Sequence, residues 1–333
     1  MVPKMSKIDI AVPNYQYGKY LQACVESILD QGIDDIRILI IDNASTDDSV
    51  TVAERLCERD NRISLTVHST NIGMHGSMNE ALDWAEGEYF VLLCADDILA
   101  PGFLQRAVAL MDSAVSASFC YGIEQPFVGD DPPVAAALPP SVPSLITGRA
   151  YINARFAEAE RIVSCGTIFA RTASQKAVGH YRREVGPTSD LEFLLRMAMR
   201  GDVMFSGAVH AWRRLHGGNL SETSGGGRVT AELSARAGAL RSFLAVEGKS
   251  LEDADGLRCR MQRRLAARAY WWGLRHASSG RPAAALECFR FACSLAPSMA
   301  LIPPVDFLFR EDGPVLRRRL GLPGHLTLPW SPR

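Results

Sequence analysis

Short, mostly apolar runs alternate with stretches whose apolar side chains recur every three or four positions through the first two-thirds of the chain. Ile8 to Val12, Ile36 to Ile41, Ile63 to Val67 and Tyr89 to Leu93 are the strand candidates of the first hundred residues. The last is apolar throughout, the pattern of a strand buried on both faces in a parallel sheet covered by helices. Pro13 is expected to break the first strand. Helices are expected over 18–30, 47–58 and 75–85, the first with Leu21, Cys24, Val25, Ile28 and Leu29 on one face. Ser45 or Thr46 is the expected N-cap of the second. This alternation predicts βαβ units and a mostly parallel central sheet flanked by helices. Right-handed crossovers would then bring the loops carrying Asp42, Asn71 and Asp96 to one edge.

The pattern continues with a helix from Pro101 to about Ser113 and a strand from Ala117 to Tyr121. Gly122 to Ser144 holds six of the 18 prolines and reads as an irregular excursion. A helix over 151–159, a strand over 165–170 and a short helix over 172–178 follow. An amphipathic helix from Leu191 to Arg200 precedes strand candidates at 203–205 and 209–215. The Ser and Gly of 221–227 read as a flexible joint. Beyond it the chain is rich in Ala, Arg and Leu, with helices expected over 229–247, 254–278 and 282–295 and an irregular tail from Pro297. Two units are therefore expected, residues 1–222 and a helical C-terminal extension over 228–333.

Composition narrows the function classes. With 47% hydrophobic and 22% charged residues the 333-residue chain is of ordinary globular make-up, and its net charge of -1 gives no field favouring nucleic acid. The eight Cys lack CxxC spacing and several sit in apolar runs, which fits a reducing, cytoplasmic setting. No uninterrupted apolar stretch reaches membrane-spanning length, and residues 1–7 lack a signal-peptide core. Arg258, Arg260, Arg263, Arg264 and Arg268, with Trp271, Trp272 and Arg317 to Arg319, make a basic, aromatic stretch. A solvated face is its ordinary reading, and peripheral contact with the inner face of a membrane is the alternative. Gly280-Arg281-Pro282 with Ala285, Leu286, Phe289, Ala292 and Pro297 looks like half of one tetratricopeptide repeat, although stacked repeats come in threes or more.

The run Tyr89 to Leu93 ends in Cys94-Ala95-Asp96-Asp97. In an open α/β sheet, ligands sit beyond the carboxyl ends of the strands, so both carboxylates project where a ligand can be reached. Adjacent anions repel unless a cation relieves them, and a hard divalent ion with oxygen ligands would do so. An Asp-capped helix start is the alternative reading.

These residues resemble a family-2 glycosyltransferase of the GT-A, Rossmann-like fold. Five blocks carry the resemblance in the family's order: Val12-Pro13-Asn14-Tyr15, Ile41 to Asp47, Asn71-Ile72-Gly73 with Asn79 downstream, Ala95-Asp96-Asp97, and Ser189 to Arg196 followed by Arg213 to His216. They cover roughly residues 7 to 222 and not the C-terminal third. The resemblance implies an inverting transfer of a sugar from a nucleotide-diphosphate donor to a carbohydrate or lipid-linked hydroxyl acceptor, in polysaccharide or glycolipid assembly. It implies Mn²⁺ or Mg²⁺ held by Asp97, with His216 as a further metal or phosphate contact and Asp96 orienting the donor. Asp190 would be the base, Glu192 the next candidate. Pro13, Asn14, Tyr15, Asp42, Asn43, Asn71 and Gly73 would form the nucleotide side, with Tyr15 stacking on the base; Asn79 is expected to brace a loop. Asn43, Cys94 and Ser189 depart from the acidic residues the family often carries there. A sugar nucleotidyltransferase lacks its basic, Gly-rich first loop here, and a dinucleotide dehydrogenase lacks GxGxxG. A catalytically silent carbohydrate-binding scaffold is the rival of a different class.

Overall fold

A computed structural model describes residues 8–130, 142–158, 165–218, 229–300 and 304. The chain opens with β1 (Ile8–Asn14), α1 (Gly18–Leu29), β2 (Ile36–Asp42), α2 (Ser49–Arg59), β3 (Ile63–Val67), α3 (Met74–Trp84) and β4 (Tyr89–Leu92). It continues through β5 (Ile98–Leu99), α4 (Phe103–Ser113), β6 (Ala117–Phe127), β7 (Ser144–Ile146), α5 (Gly148–Glu158), β8 (Ile168–Arg171), α6 (Thr172–Val178), α7 (Ser189–Ala198) and β9 (Asp202–Arg214). The helices α8 (Val229–Ala245), α9 (Ala254–Ser278) and α10 (Pro282–Leu295) close the described chain.

One sheet runs in the order β3-β2-β1-β4-β8-β6-β9-β5, with β7 also on β9. The four strands β3-β2-β1-β4 are parallel, as their βαβ connections require. From β8 onward the sheet is mixed, β8 being antiparallel to both β4 and β6 while β6 and β9 are parallel. The α/β class and the covered central sheet are thus as expected, and the parallel character is concentrated in the N-terminal half.

Several local expectations are corrected. Strand β1 passes through Pro13 to Asn14. Alternate residues of a parallel strand bond to opposite neighbours; Pro13 faces the β4 side, where pairing has already ended at Ala11 and Leu92, so its missing N–H forfeits no ladder bond. Residues 122–127, read as irregular, extend β6, because β9 pairs alongside as far as Phe127 opposite Arg214. Residues 131–141 of that excursion lie outside the described residues. The two candidates at 203–205 and 209–215 are one strand, β9, whose register shifts against β6 absorb the polar interruption. Helix α2 begins at Ser49 rather than Asp47, and neither Ser45 nor Thr46 caps it; Ser45 bonds back to the first loop instead.

Two apolar cores lie on the two faces of the sheet. One joins β1, β2 and β4 to α1, α2 and α4 through residues such as Ile10, Leu21, Ile38, Val91 and Phe103. The other joins the opposite face to α3, α5 and α7 and continues without interruption into α8 and α9 through Leu233, Leu240, Phe243, Met261 and Leu265. The C-terminal helices are packed onto the sheet unit. Helices α9 and α10 form one antiparallel hairpin among the described residues. The joint at 221–227, Arg317 to Arg319 and nearly all of the tail lie outside the described residues. No described helix is long and apolar enough to cross a membrane. Of the basic stretch, Arg258 pairs with Asp255 and Arg260 with Asp253, while the Trp271 indole N–H donates to the Pro304 carbonyl.

Candidate active site

The carboxyl ends of β1, β2 and β4 lie side by side, so Asn14, Asp42 and the turn Cys94 to Asp97 meet at one edge. The turn is closed by the Asp97 amide donating to the Cys94 carbonyl (3.0 Å), and its start is tied to β1 by the Leu93 amide on the Ala11 carbonyl (3.0 Å). Asp96 and Asp97 are buried, 7% and 4% exposed. Strand β9 delivers Arg214 against them. Its amide donates to Asp97 Oδ1 (3.1 Å), its Nε donates to the Asp96 carbonyl (3.2 Å), and its guanidinium lies over the rings of Tyr20 and Phe127. His216, just past β9, places Nε2 3.1 Å from Asp96 Oδ2 and its ring against Tyr17 and Tyr20. The Tyr17 hydroxyl donates to the Gly218 carbonyl (3.0 Å), which joins the first loop to the loop after β9.

Burial, and then the charge of Asp96 beside it, push the Asp97 carboxyl well above the usual carboxylate range. A dication would remove that penalty. The donor set fits one: Cys94 Sγ and carboxylate oxygens of Asp96 and Asp97 lie within 4.8 Å of one another, and Asp97 Oδ2 accepts no hydrogen bond among the described residues.

Asp190 occupies the first turn of α7, behind a short 3₁₀ stretch, Arg183–Thr188, that is kinked at Gly186. It is part-buried in the wall of a cleft shared with Leu92, Cys165, Tyr181 and Phe193. No side-chain bond caps α7, so Asp190 does not serve as its cap. Desolvation, with a smaller contribution from the charge of Glu124, raises its pKa to about 7. Cys165 links this cleft to the acid pair: its Sγ lies 3.6 Å from Cys94 Sγ, and a side chain at its neighbour Gly166 would touch Leu93 and approach Asp97 Oδ2.

Glu192, the second candidate base, has a different task. It is fully buried and ion-paired with Arg182 (2.6 Å) and Arg196 (3.0 Å), while Arg196 donates to the carbonyls of Val178 and His180. An acid clamped between two guanidiniums cannot move a proton readily, and here it fixes the start of α7. Next to the base candidate, the Ser189 hydroxyl lies 2.9 Å from His75 Nε2, and burial lowers the His75 pKa.

On the nucleotide side the loops are braced by the residues expected to bind. Asp42 is fully buried; it accepts from Asn14 Nδ2 (2.8 Å) and the Ser45 amide (2.9 Å). Asn43 accepts from the Ile72 amide (2.8 Å) and donates to Asn71 Oδ1 (2.9 Å), which also takes the Gly73 amide (2.8 Å). These bonds brace the loops that the resemblance assigns to the nucleotide side. Gly73 has φ of +80°, a backbone region that favours glycine, and starts α3. Asn79 exchanges two bonds with the Tyr181 backbone, bracing as expected. Tyr15 is 46% exposed at the same edge. Pro13 is half-buried in β1.

Sequence reasoning assigned nothing to Glu124, Arg214 or Cys165. Arg214 stood inside the Arg213 to His216 block, and Tyr17 and Tyr20 are three apart at a helix start, so a signal existed for those. Glu124 fell in a segment read as irregular and left none.

A family model described as glycosyl transferase family 2 matches residues 9–180. Among curated proteins, the glycosyltransferase GlyG of Streptococcus pneumoniae is 34% identical over 98 residues, 29% of this chain and 33% of that protein. The match spans about a third of that relative's length. Among solved structures, S. aureus TarS 1–349 in complex with UDP-GlcNAc superposes over 88% of this chain and 91% of its own, with a TM-score of 0.55 and 16% identity. The mannosyltransferase PcManGT from Pyrobaculum calidifontis, in complex with GDP-Man and Mn²⁺, covers 94% of this chain and 80% of its own, with a TM-score of 0.58 and 16% identity. The two structures share the fold, a GT-A sheet covered by helices. With the family model covering half the chain from β1 to the approach to α7, this protein belongs to glycosyl transferase family 2.

Proposed function

We propose that this chain is an inverting glycosyltransferase, moving a sugar from a nucleoside diphosphate to a hydroxyl acceptor, with Asp190 as the base. The observation that carries this reading is one carboxyl poised near neutrality in a cleft wall, with a buried acid pair on the other side of Cys165. Inversion in one step needs a base that takes the acceptor proton as the anomeric carbon is attacked. A carboxyl titrating at about 7 is half ionised at neutral pH and more basic than an exposed one. Asp97 would hold Mn²⁺ or Mg²⁺, which when bound neutralises charge on the departing diphosphate, with His216 as a further metal or phosphate contact and Asp96, which belongs to the same ligand cluster, beside the donor. Arg214 holds both aspartates in place and His216 orients Asp96. Tyr15, exposed at the nucleotide edge, would stack on the base, while Asp42, Asn43, Asn71 and Gly73 keep that edge rigid. The diphosphate sugars bound to the two structural relatives support the donor class.

A carbohydrate or lipid-linked acceptor in polysaccharide or glycolipid assembly fits the family. Exposed Arg258 and Arg263 of α9 are what a membrane surface would meet. The helices α8 to α10 belong to the catalytic unit in this reading, since they complete one of its cores. The test is a thermal-shift screen across nucleotide-sugars with Mn²⁺, where a ligand of the native state raises the melting temperature. Asp97→Ala should then abolish the metal-dependent part of donor binding in calorimetry. Equal donor affinity with and without Mn²⁺ in the unmutated protein would remove the metal from the reading.

A further inference from the structure

Cys94 is the odd member of the acid cluster. It occupies a turn position from which its sulfur and the oxygens of Asp96 and Asp97 already lie within 4.8 Å of one another. Three ligands of one small dication lie at most about 4 Å from one another, so the turn has to close by up to about 1 Å to bring all three onto one ion. The turn is held on both sides: Cys24 donates its thiol to the Cys94 carbonyl (3.5 Å), and Cys165 Sγ lies 3.6 Å from Cys94 Sγ. A second thiol at that distance can donate to a Cys94 thiolate, as outer partners do for metal ligands. Independently of the sulfur, the buried Asp97 keeps Oδ2 without a hydrogen bond among the described residues.

We infer that Cys94 is itself a ligand of the cation held by this cluster, so that the site takes a borderline-soft dication of the zinc class in preference to magnesium, with Cys165 as the positioning residue behind the sulfur. On binding, the Cys94 thiol proton leaves to solvent and one sulfur–metal bond forms beside the carboxylate bonds, with no change in oxidation state. Thiolate suits Zn²⁺ and Co²⁺ and is a poor partner for Mg²⁺. The inference rests on the metal-binding reading of Asp96 and Asp97 and adds to it the choice of cation.

The test is titration of the full chain with Co²⁺, with and without uridine or guanosine diphosphate. The expected result is a sulfur-to-cobalt charge-transfer absorption that Zn²⁺ abolishes stoichiometrically and that Mg²⁺ displaces only at more than about 100-fold higher concentration. The band should vanish in Cys94→Ser and survive in Cys165→Ser with Co²⁺ bound about 10-fold more weakly. Cys94→Asp should bind Mg²⁺ more tightly than the unmutated protein. Cobalt bound without a sulfur band, or Zn²⁺ affinity unchanged in Cys94→Ser, overturns the inference and leaves an all-oxygen site standing. Failure of every dication to bind the unmutated protein, with or without the diphosphates, overturns the metal reading and this inference together.

Discussion

The half of the sheet built from β1 to β4 and the half built from β6, β8 and β9 place their functional groups by different means. In the first, β1, β2 and β3 are each followed by a helix that returns the chain to a parallel strand, the last crossing past β2 and β1 to reach β4, and polar residues gather at one edge because the strands end there. In the second, strand directions are mixed and the chemistry is positioned by contacts between distant residues. Arg214 reaches back to Asp96 and Asp97, Glu192 is locked by Arg182 and Arg196, and Thr188 is bonded to the Ala235 carbonyl of α8. A sheet edge that local pairing makes rigid is thereby set against a wall that leans on the C-terminal helices.

The harshest test of that contrast is to end the chain at Gly225. The face of α5 and α7 that packs on α8 and α9 would be exposed, and size-exclusion chromatography should show aggregated protein. A soluble, active product would show that the helices are accessory and the second half self-sufficient. Next in size, Asp190→Asn should cut turnover by roughly 10²–10⁴ while leaving donor affinity within about twofold. Turnover of the unmutated enzyme should fall as pH drops below about 7, where the base is protonated.

The same substitution has a stability signature of defined sign. The folded-state pKa of Asp190 lies above its unfolded value, so stability from this group is fully present below pH about 4 and is lost as pH rises through about 7. Asp190→Asn should therefore melt higher than the unmutated protein at pH 8, and the gap should close toward pH 4. Equal melting at both pH values would place the carboxyl in water.

Glu192→Ala separates brace from base. It strands Arg196 as a buried cation and should cost about 3–5 kcal/mol in urea unfolding. Loss of turnover with unchanged stability would return Glu192 to the list of bases. Smallest, Asn79→Ala removes two bonds to the Tyr181 backbone and should destabilise by about 1–3 kcal/mol, with little effect on nucleotide affinity.

Strand β4, its terminal aspartates, the helices of the first half and the order of the five motif blocks were all legible along the chain. The elements rest on apolar patterning or on a strand meeting its loop, which are properties of neighbouring residues, and the motif blocks on the family resemblance. The path of β6 past Tyr121 was not legible, because its polar and proline-bearing residues become strand only when β9 pairs beside them. Nor could spacing separate Asp190 from Glu192, two residues apart on one helix turn. Their tasks diverge because one side chain faces a cleft with no cation beside it among the described residues while the other meets two guanidiniums. Residue types and local periodicity determined which groups were available to this protein. Tertiary packing decided which of them are solvated, which are paired and which carry a shifted charge, since desolvation and pairing depend on what the rest of the chain brings alongside.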